Sequence, residues 1–307
     1  MRIEIVVLNF NGGSLFLQCL PSLVASLKNT KHQAGLTVLD NGSTDGCDRE
    51  AQKIFPDIRV WYAKENRVLC SYNDYLVTSA CDIAILLNND IRVDEKFVDP
   101  LVVPFEKSSE VFMVTPRCLS FDGKKHEGGI TKFRMRYGIF WASSRYPGYE
   151  KDVDQRHWTM AAGYGAFDRK KFLELGGYDS LYLPGRLEDS DLCYRAWKRR
   201  WVLFYEPASI IYHKGGVSFH KKFGRRGTLK INHRNSFLFV WKNIRDPVFL
   251  LTHIFFLPLR LAWALLRGQW EFVLGFFEAL PLLPAALRRR IPPLPACLSD
   301  RQIFSKV

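Results

Sequence analysis

The sequence lacks the cysteine spacing of a disulfide framework or of a zinc site. Its 7 cysteines are scattered along 307 residues, and no two stand in a C-x-x-C arrangement. Single cysteines in an odd number indicate reduced thiols in a cytosolic compartment. The N-terminus also lacks the long apolar core of a signal peptide, because Glu4 interrupts its short apolar run. We therefore expect folded structure from residue 1 onward.

Internal repeats, low-complexity tracts and nucleic-acid-binding signatures are also missing. With 47% apolar and 24% charged residues, the chain is too apolar for a disordered protein and long enough for a sizeable core. From residue 220 onward lie 15 of the 44 Lys and Arg residues but only 4 of the 31 Asp and Glu residues, so this segment carries +11 of the net +13. A basic segment rich in Leu, Phe and Trp predicts contact with an anionic membrane surface and no nucleic-acid partner.

Short β-branched runs alternate with stretches of helical periodicity in the first 115 residues. The runs lie at 3–8, 36–39, 58–62, 83–87 and 111–114, and helical patterns include 15–27 and 95–105. This alternation predicts right-handed βαβ units and an α/β fold with a mainly parallel central sheet flanked by helices. Ligands of such sheets bind beyond the carboxyl ends of the strands.

Polar side chains follow three of these predicted strands. Asn9 follows the first, Asp40 opens a polar loop after the second, and Asn88, Asn89 and Asp90 follow the fourth. Each loop alone is also typical of ordinary turns. Together, at one edge of a sheet, they predict a crevice that holds two carboxylates and several amides.

The pattern of the second half predicts loops and hairpins over the crevice at 115–165, helices at 169–175 and 188–200, and two short strands at 202–205 and 209–213.

Three residues are candidates for the chemistry. Asp90 at a strand end suits Mg²⁺ or Mn²⁺, but it also suits a helix N-cap. Asp189 is a candidate general base, although acids at a helix start also favour the helix dipole. His213 is either a metal ligand or a structural histidine.

The order of these motifs resembles the inverting glycosyltransferases of family 2. In the first half the matching segments are VVLNFNG at 6–12, VLDNGSTDG at 38–46, ENR at 65–67 with Asn73, and LLNND at 86–90. In the second half they are Gly163, RKKF at 169–172, GGYD at 176–179, EDSDLCYRA at 188–196 and IIYH at 210–213. The resemblance covers residues 1 to about 220 and is greatest to bacterial rhamnosyl- and galactofuranosyl-type enzymes.

The resemblance implies a GT-A fold and assigns roles to individual residues. Asp189 takes the position of the catalytic base, Asp90 the last position of the D-x-D metal motif, and His213 that of a further ligand to Mg²⁺ or Mn²⁺. The chain departs from the family pattern at Asn88, the first position of that motif, and at 68–71, which replaces a Gly-rich turn. We expect the backbone at 68–71 to approach the donor less closely. The implied nucleotide-sugar-binding residues are Asn9, Asp40, Asn41, Ser43, Asn66, Asn73 and Asn88.

The implied reaction moves a sugar from a nucleotide-diphosphate sugar to a hydroxyl of a glycan or lipid-linked acceptor in cell-surface polysaccharide synthesis. Two alternatives stay open. A sugar-nucleotide pyrophosphorylase shares the α/β architecture, but the loop at 9–13 has none of the basic residues that would hold a triphosphate. A non-catalytic membrane adaptor would use the basic tail alone.

We expect two regions. Residues 1–219 form the catalytic domain, divided into a nucleotide-sugar half at 1–115 and an acceptor half at 116–219, and residues 220–307 form a helical extension. The apolar stretches at 247–266 and 270–287 approach the length of a bilayer span, but Arg260 and Pro258 interrupt the first. We favour helices in the membrane interface on the cytoplasmic face of the cell membrane, with a true span or re-entrant hairpin, or a buried core or dimer face, as alternatives.

Overall fold

The N-terminal half of the chain forms the parallel part of a central sheet. A computed structural model describes residues 1–215, 217–292 and 297–306. Strands β1 (Arg2–Asn9), β2 (Gln33–Asp40), β3 (Arg59–Tyr62) and β4 (Ile83–Asn88) lie in the order β3–β2–β1–β4, with all neighbours parallel. Helices α1 (Gly13–Lys28), α2 (Cys47–Ile54) and α3 (Ser71–Thr78) connect them. The predicted βαβ units are therefore confirmed.

The second half extends this sheet and makes it mixed. Its elements are β5 (Ile91–Val93), α4 (Val98–Lys107), β6 (Val111–Ser120), β7 (His126–Gly128), β8 (Lys132–Arg136), β9 (Ile139–Ser143), β10 (His157–Trp158), β11 (Gly165–Asp168) and β12 (Val202–His213). Strand β11 inserts antiparallel between β4 and β6, and β12 runs parallel to β6. Strands β8 and β9 form a separate antiparallel hairpin.

Strand β12 differs from its sequence-based prediction. The runs at 202–205 and 209–213 are one continuous strand of 12 residues rather than two. Its pairing with β6 shifts in register between Glu206 and Ile210, so the strand keeps its neighbour across the irregular stretch. Such a bulge bends a strand without ending it.

The two faces of the sheet bury separate apolar layers. Alternate residues of a strand point to opposite faces, so Val6 lies in one layer while Ile5 and Val7 lie in the other. The layer with Ile5 packs against α1, α2 and α4, and the layer with Val6 packs against α3 and the helices of the second half. The crevice described below lies at the carboxyl ends of β1, β2 and β4.

In the part of the chain that the structure describes, seven α-helices follow β11, two of them before β12 and five after it. Its helices are α5 (Arg169–Glu174), α6 (Glu188–Lys198), α7 (Val217–Asn243, kinked at Gly224), α8 (Pro247–Leu266), α9 (Trp270–Ala279), α10 (Leu283–Arg288) and α11 (Asp300–Phe304). The α7 side chains at 237–240 are fully buried in the same apolar layer as α6. The boundary expected between residues 219 and 220 lies within α7, and the buried residues 237–240 belong to the expected tail.

Helix α8 is apolar but barely covered. Two stretches are long and apolar enough to cross a membrane: Pro247–Leu266, with a mean hydropathy of 1.8, and Trp270–Arg288, with 1.4. Only 11% of the first and 28% of the second is buried. A core helix of this composition would be mostly covered, so these helices leave a large apolar surface outside the fold.

Candidate active site

The ends of β1 and β2 bring together three predicted nucleotide-binding residues. Asn9 pairs with Asp40 in the strand register, and its Nδ2 donates to Asp40 Oδ2 at 3.0 Å and to Ser43 Oγ at 3.1 Å. The other oxygen, Asp40 Oδ1, accepts from the backbone N–H groups of Gly42 and Ser43 at 3.0 and 2.8 Å. Asn9 and Asp40 are buried, and this hydrogen bonding stabilises the carboxylate there.

A second polar pair joins the β2 loop to the segment before α3. Asn41 Nδ2 donates to Asn66 Oδ1 at 3.0 Å, and Ser71 Oγ donates to Asn41 Oδ1 at 2.6 Å. In the same segment Val68 adopts φ 52°, which is costly for a β-branched residue. The chain therefore keeps the left-handed backbone that glycine favours, without the glycine.

Asn73 does not join these networks. Its Nδ2 donates to the Tyr178 carbonyl oxygen at 2.8 Å, and its Oδ1 accepts from the Tyr178 N–H at 2.9 Å. Both amide groups therefore hold α3 to the turn that follows α5. A direct contact between Asn73 and the nucleotide sugar stays a prediction.

Asn89 is a crevice residue to which the sequence analysis gave no role, whereas half-buried Asn88 ends β4 as expected. The Asn89 Nδ2 donates to Asn9 Oδ1 at 2.9 Å, so it links the third loop to the first. A Cβ at Gly12 would lie only 2.5 Å from Asn9 Oδ1 and 2.6 Å from Asn89 Nδ2. Gly12, in the segment NFNG, is therefore the sequence signal that marks this close approach.

Asp90 and His213 face each other across the sheet edge. His213 pairs with Ile91 in the β12–β5 register, which places its Nε2 3.2 Å from Asp90 Oδ1. Burial lowers the pKa of His213, but the neighbouring Asp90 and Cys118 outweigh it and raise the pKa to about 10. The buried Asp90 Oδ1 has no well-angled hydrogen bond with any described residue. This Asp90 carboxylate oxygen and the His213 imidazole beside it are suitable ligands for a divalent cation.

The chain supplies few ligands for such a cation. Within residues 1–215, 217–292 and 297–306, no cluster of three or more His, Cys, Asp and Glu side chains has the arrangement of a metal site. Mg²⁺ and related cations are often held by one or two protein side chains and complete their shell with substrate phosphates and water. The Asp90–His213 pair matches that chemistry better than it matches a closed protein site.

Helix α6 begins with two acids, Glu188 and Asp189, that have no basic partner at bonding distance among the described residues. Arg186 and Leu187 precede it with φ values of 76° and 66°, a strained backbone of the kind found at functional sites. Asp189 Oδ1 accepts from the Ser190 N–H at 2.7 Å, whereas Asp189 Oδ2 accepts from no described residue. Burial raises the pKa of Asp189, although the Ser190 hydrogen bonds lower it in part. Burial and the charge of Asp189 raise the pKa of Glu188 to about 8.

The dipeptide Gly163–Tyr164 lies close both to Asp189 and to His213. A Cβ placed on Gly163 would lie 3.5 Å from Asp189 Oδ2. The ring of the next residue, Tyr164, lies 6.2 Å from the imidazole of His213, centroid to centroid. The candidate base and the candidate metal ligands therefore lie on either side of the same short segment.

Asp191, on the same helical turn, has a different environment. It is completely buried and accepts from Arg195 Nε at 2.8 Å, Lys242 Nζ at 2.7 Å and Asn243 Nδ2 at 2.8 Å. Burial alone raises the pKa of Asp191, but the charges of Arg195 and Lys242 hold it well below its usual range. The i, i+4 spacing to Arg195 was visible in the sequence, whereas the contact with α7 was not.

Solved structures of low sequence identity share this fold. TarS of S. aureus, residues 1–349 with UDP-GlcNAc, has a TM-score of 0.60 at 11% identity over 94% of this chain and 84% of its own. Mannosyltransferase PcManGT from Pyrobaculum calidifontis, with GDP-Man and Mn²⁺, has a TM-score of 0.55 at 15% identity over 93% and 75%. The predicted GT-A fold is confirmed.

Sequence comparisons lead to the family. N-acetylgalactosaminyltransferase 7 of Drosophila melanogaster is 25% identical over 162 residues, which are 48% of this chain and 27% of that protein. The chain thus spans about a quarter of the length of the curated relatives it matches. The family model described as Glycosyl transferase family 2 matches residues 4–176, more than half of the sequence. The chain belongs to glycosyl transferase family 2.

Proposed function

We propose that the chain is an inverting, divalent-cation-dependent hexosyltransferase that acts on a nucleotide-diphosphate sugar. The observation that carries the proposal is Asp189 Oδ2, a half-buried carboxylate oxygen that accepts no hydrogen bond from the described residues. Burial raises the pKa of Asp189 toward the range in which a carboxylate is an effective base. Gly163 lies next to this oxygen, and the neighbouring Tyr164 lies next to His213 of the Asp90–His213 pair.

In the proposed reaction Asp189 Oδ2 takes the proton of an acceptor hydroxyl. The hydroxyl oxygen attacks the anomeric carbon from the face opposite the diphosphate, and the bond from that carbon to the diphosphate oxygen breaks. Configuration inverts and no covalent enzyme intermediate forms. Asp90 and His213 would hold a cation that, when bound, neutralises charge on the leaving diphosphate. Positioning by the crevice supplies much of the remaining acceleration.

The donor side of the proposal rests on the networks around Asp40 and Asn41. The buried amides of Asn9 and Asn41 and the buried carboxylate of Asp40 form a pre-ordered polar edge at the carboxyl ends of β1 and β2. The structural neighbours that contain UDP-GlcNAc, or GDP-Man with Mn²⁺, support a nucleotide-sugar donor and Mg²⁺ or Mn²⁺ for this chain. Resemblance favours a rhamnosyl- or galactofuranosyl-type transfer to a glycan or lipid-linked acceptor in cell-surface polysaccharide synthesis.

Product analysis tests the reaction class. The full chain is first screened by thermal shift against nucleotide sugars with and without Mn²⁺, and the donor with the largest shift is then used for turnover. We expect release of nucleoside diphosphate. Release of pyrophosphate would identify a pyrophosphorylase instead, and the absence of any metal-dependent shift would favour a non-catalytic adaptor.

The proposed metal ligands are tested by calorimetry with a nucleoside diphosphate. We expect Asp90→Ala and His213→Ala each to weaken Mn²⁺-dependent binding by about tenfold or more, because each removes one of two protein ligands. Asp57→Ala, an exposed carboxylate outside the crevice, is the matched control and should bind normally. Unchanged affinity of the His213 variant would make that histidine structural.

We also propose that the tail brings the chain to the cytoplasmic face of the cell membrane, where a lipid-linked acceptor would be met. The support is the uncovered apolar surface of α8 and α9 together with the net charge of +11 from residue 220 onward. We favour helices in the interface because Arg260 and Pro258 interrupt the longer stretch. Flotation with liposomes tests this: detergent should release the chain fully and high salt only in part. Complete release by salt would contradict hydrophobic insertion.

A further inference from the structure

A groove separates the β8–β9 hairpin from helix α8, and none of the residues assigned to the active site lines it. Its volume is about 710 Å³, which is in the range of sites for small organic ligands. One wall comes from the acceptor half of the catalytic domain and the other from the tail, so neither region forms it alone. Aromatic residues line both walls, among them Tyr137, Trp141 and Trp263.

All charged side chains that line this groove, called the hairpin groove below, are positive. Lys132, Arg134, Arg136, Arg145 and Arg260 line it, and no Asp or Glu does. Lys132 lies 3.9 Å from Asp152, whereas the four arginines form no ion pair with any residue that the structure describes. Neighbouring cations without counter-charges repel one another, so they indicate an anionic ligand. Arginine suits phosphate because its planar fork donates two parallel hydrogen bonds.

The groove opens onto an apolar stripe of α8. Every third or fourth residue on this face is exposed, and Leu259 and Trp263 belong both to the stripe and to the groove wall. The exposed fraction reaches 66% for Leu251 and 83% for Leu266. The members of the stripe are Leu251, Phe255, Leu259, Trp263 and Leu266.

We propose that the hairpin groove binds the phosphate headgroup of an anionic membrane lipid whose hydrocarbon chains lie along the α8 stripe. A soluble phosphate would account for the arginines but not for the adjoining apolar stripe, and an apolar ligand would account only for the stripe. Aromatic rings at the groove mouth suit the level of the headgroups. The inference rests on the membrane association proposed above and adds a specific headgroup site to it.

The test measures binding of the full chain to vesicles of phosphatidylcholine alone and of phosphatidylcholine with phosphatidic acid. The groove variant carries Arg134→Gln, Arg136→Gln and Arg145→Gln, and all three positions are exposed. The matched control carries Lys28→Gln, Lys53→Gln and Lys107→Gln, which remove the same charge from exposed sites elsewhere. We expect the groove variant to lose at least about tenfold in affinity for the phosphatidic acid vesicles and the control to lose much less.

Each contrary result identifies a different error. Equal losses in the two triple variants would mean that net charge alone attracts the chain, and equal affinity of the wild-type chain for both vesicles would mean that there is no headgroup site. Either outcome overturns the inference and leaves membrane association intact. Failure to bind either vesicle overturns both.

Two further measurements complete the test. Tight binding of glycerol 3-phosphate in calorimetry without vesicles, abolished in the groove variant, would assign the groove to a soluble ligand and overturn the lipid. The single variant Arg145→Glu, in the loop after β9, repeats the vesicle assay with one exposed change. We expect it to weaken phosphatidic acid binding by about tenfold, and wild-type affinity would count against the groove.

Discussion

The carboxyl groups on two faces of the first turn of α6 have opposite environments. On the crevice face, Glu188 and Asp189 have no basic partner at bonding distance among the described residues, and burial raises the pKa of both. On the inner face, Asp191 contacts Arg195 and Lys242, and its pKa is held well below the usual range. A carboxylate without a partner is available to take a proton, whereas a paired one fastens two elements together. One acidic motif thus places two carboxyl groups without basic partners on one face, where we propose the proton transfer, and an ion-paired carboxylate on the other.

The largest effect is expected from Asp191→Ala, which tests the inner face. The change leaves Arg195 and Lys242 buried without their shared counter-charge, so we expect the free energy of unfolding to fall by about 3–5 kcal/mol. Urea denaturation followed by circular dichroism measures it. Asp189→Asn is the matched control in the same turn and should unfold close to wild type. Similar unfolding curves for the wild-type chain and the Asp191 variant would show that the inner face is not a structural anchor.

The next test acts on the crevice face. Asp189→Asn keeps size and hydrogen bonding but removes the base, so we expect transfer to fall by about 100-fold or more, roughly 2.7 kcal/mol in the barrier. Donor affinity and the unfolding curve should not change. Near-normal turnover would move the role of base to Glu188, which the Glu188→Gln variant would then reveal.

The pH dependence of stability separates the two faces without an activity assay. The pKa of Glu188 rises from its usual 4.5 to about 8 on folding, so the folded state holds this proton more tightly and stability falls as pH rises between those values. The slope is at most about 1.4 kcal/mol per pH unit. Glu188→Gln should flatten it. Asp191 has a lowered pKa, so its stabilisation is present above pH 3.8 and is lost as pH falls further. A stability that rises from pH 5 to 8, unaltered in the Gln variant, would contradict the assignment.

The smallest expected effect comes from Tyr182→Phe. The Tyr182 hydroxyl donates to Asp191 Oδ1 at 3.0 Å in the buried cluster. We expect its removal to cost about 1 kcal/mol of unfolding free energy and to leave transfer unchanged. A large loss of activity with normal stability would mean that the inner face also influences catalysis.

Much of the donor side was predictable from local sequence pattern. Strand periodicity locates the ends of β1, β2 and β4, and the rule for ligands of parallel sheets makes Asn9, Asp40 and Asp90 candidates for one crevice. The sequence also predicts the proximity of His213 through the family motif. The structure brings Asp90 and His213 together through the register of β5 with β12.

The rest depends on contacts between distant parts of the chain. The pairing of Lys242 with Asp191 spans 51 residues, and no local pattern encodes it. The contacts of both Asn73 amide groups with the Tyr178 backbone, 105 residues away, likewise have no local signal in the sequence. The apolar residues at 237–240 and those of α8 have similar composition, although the former are core and the latter are exposed. Periodicity alone does not distinguish a helix that packs on protein from one that packs on lipid.

Asn235 of α7 has a practical consequence for anyone who needs this protein in detergent-free solution. Its buried Nδ2 lies 2.7 to 3.0 Å from the carbonyl oxygens of Tyr182, Gly185 and Arg186, in the loop that leads into α6. Cutting the chain ahead of α7 would therefore remove a support of the loop before Asp189 along with the apolar helices. Polar replacements on the exposed stripe, such as Leu251→Gln and Leu266→Gln, are the better engineering route because they leave that support in place.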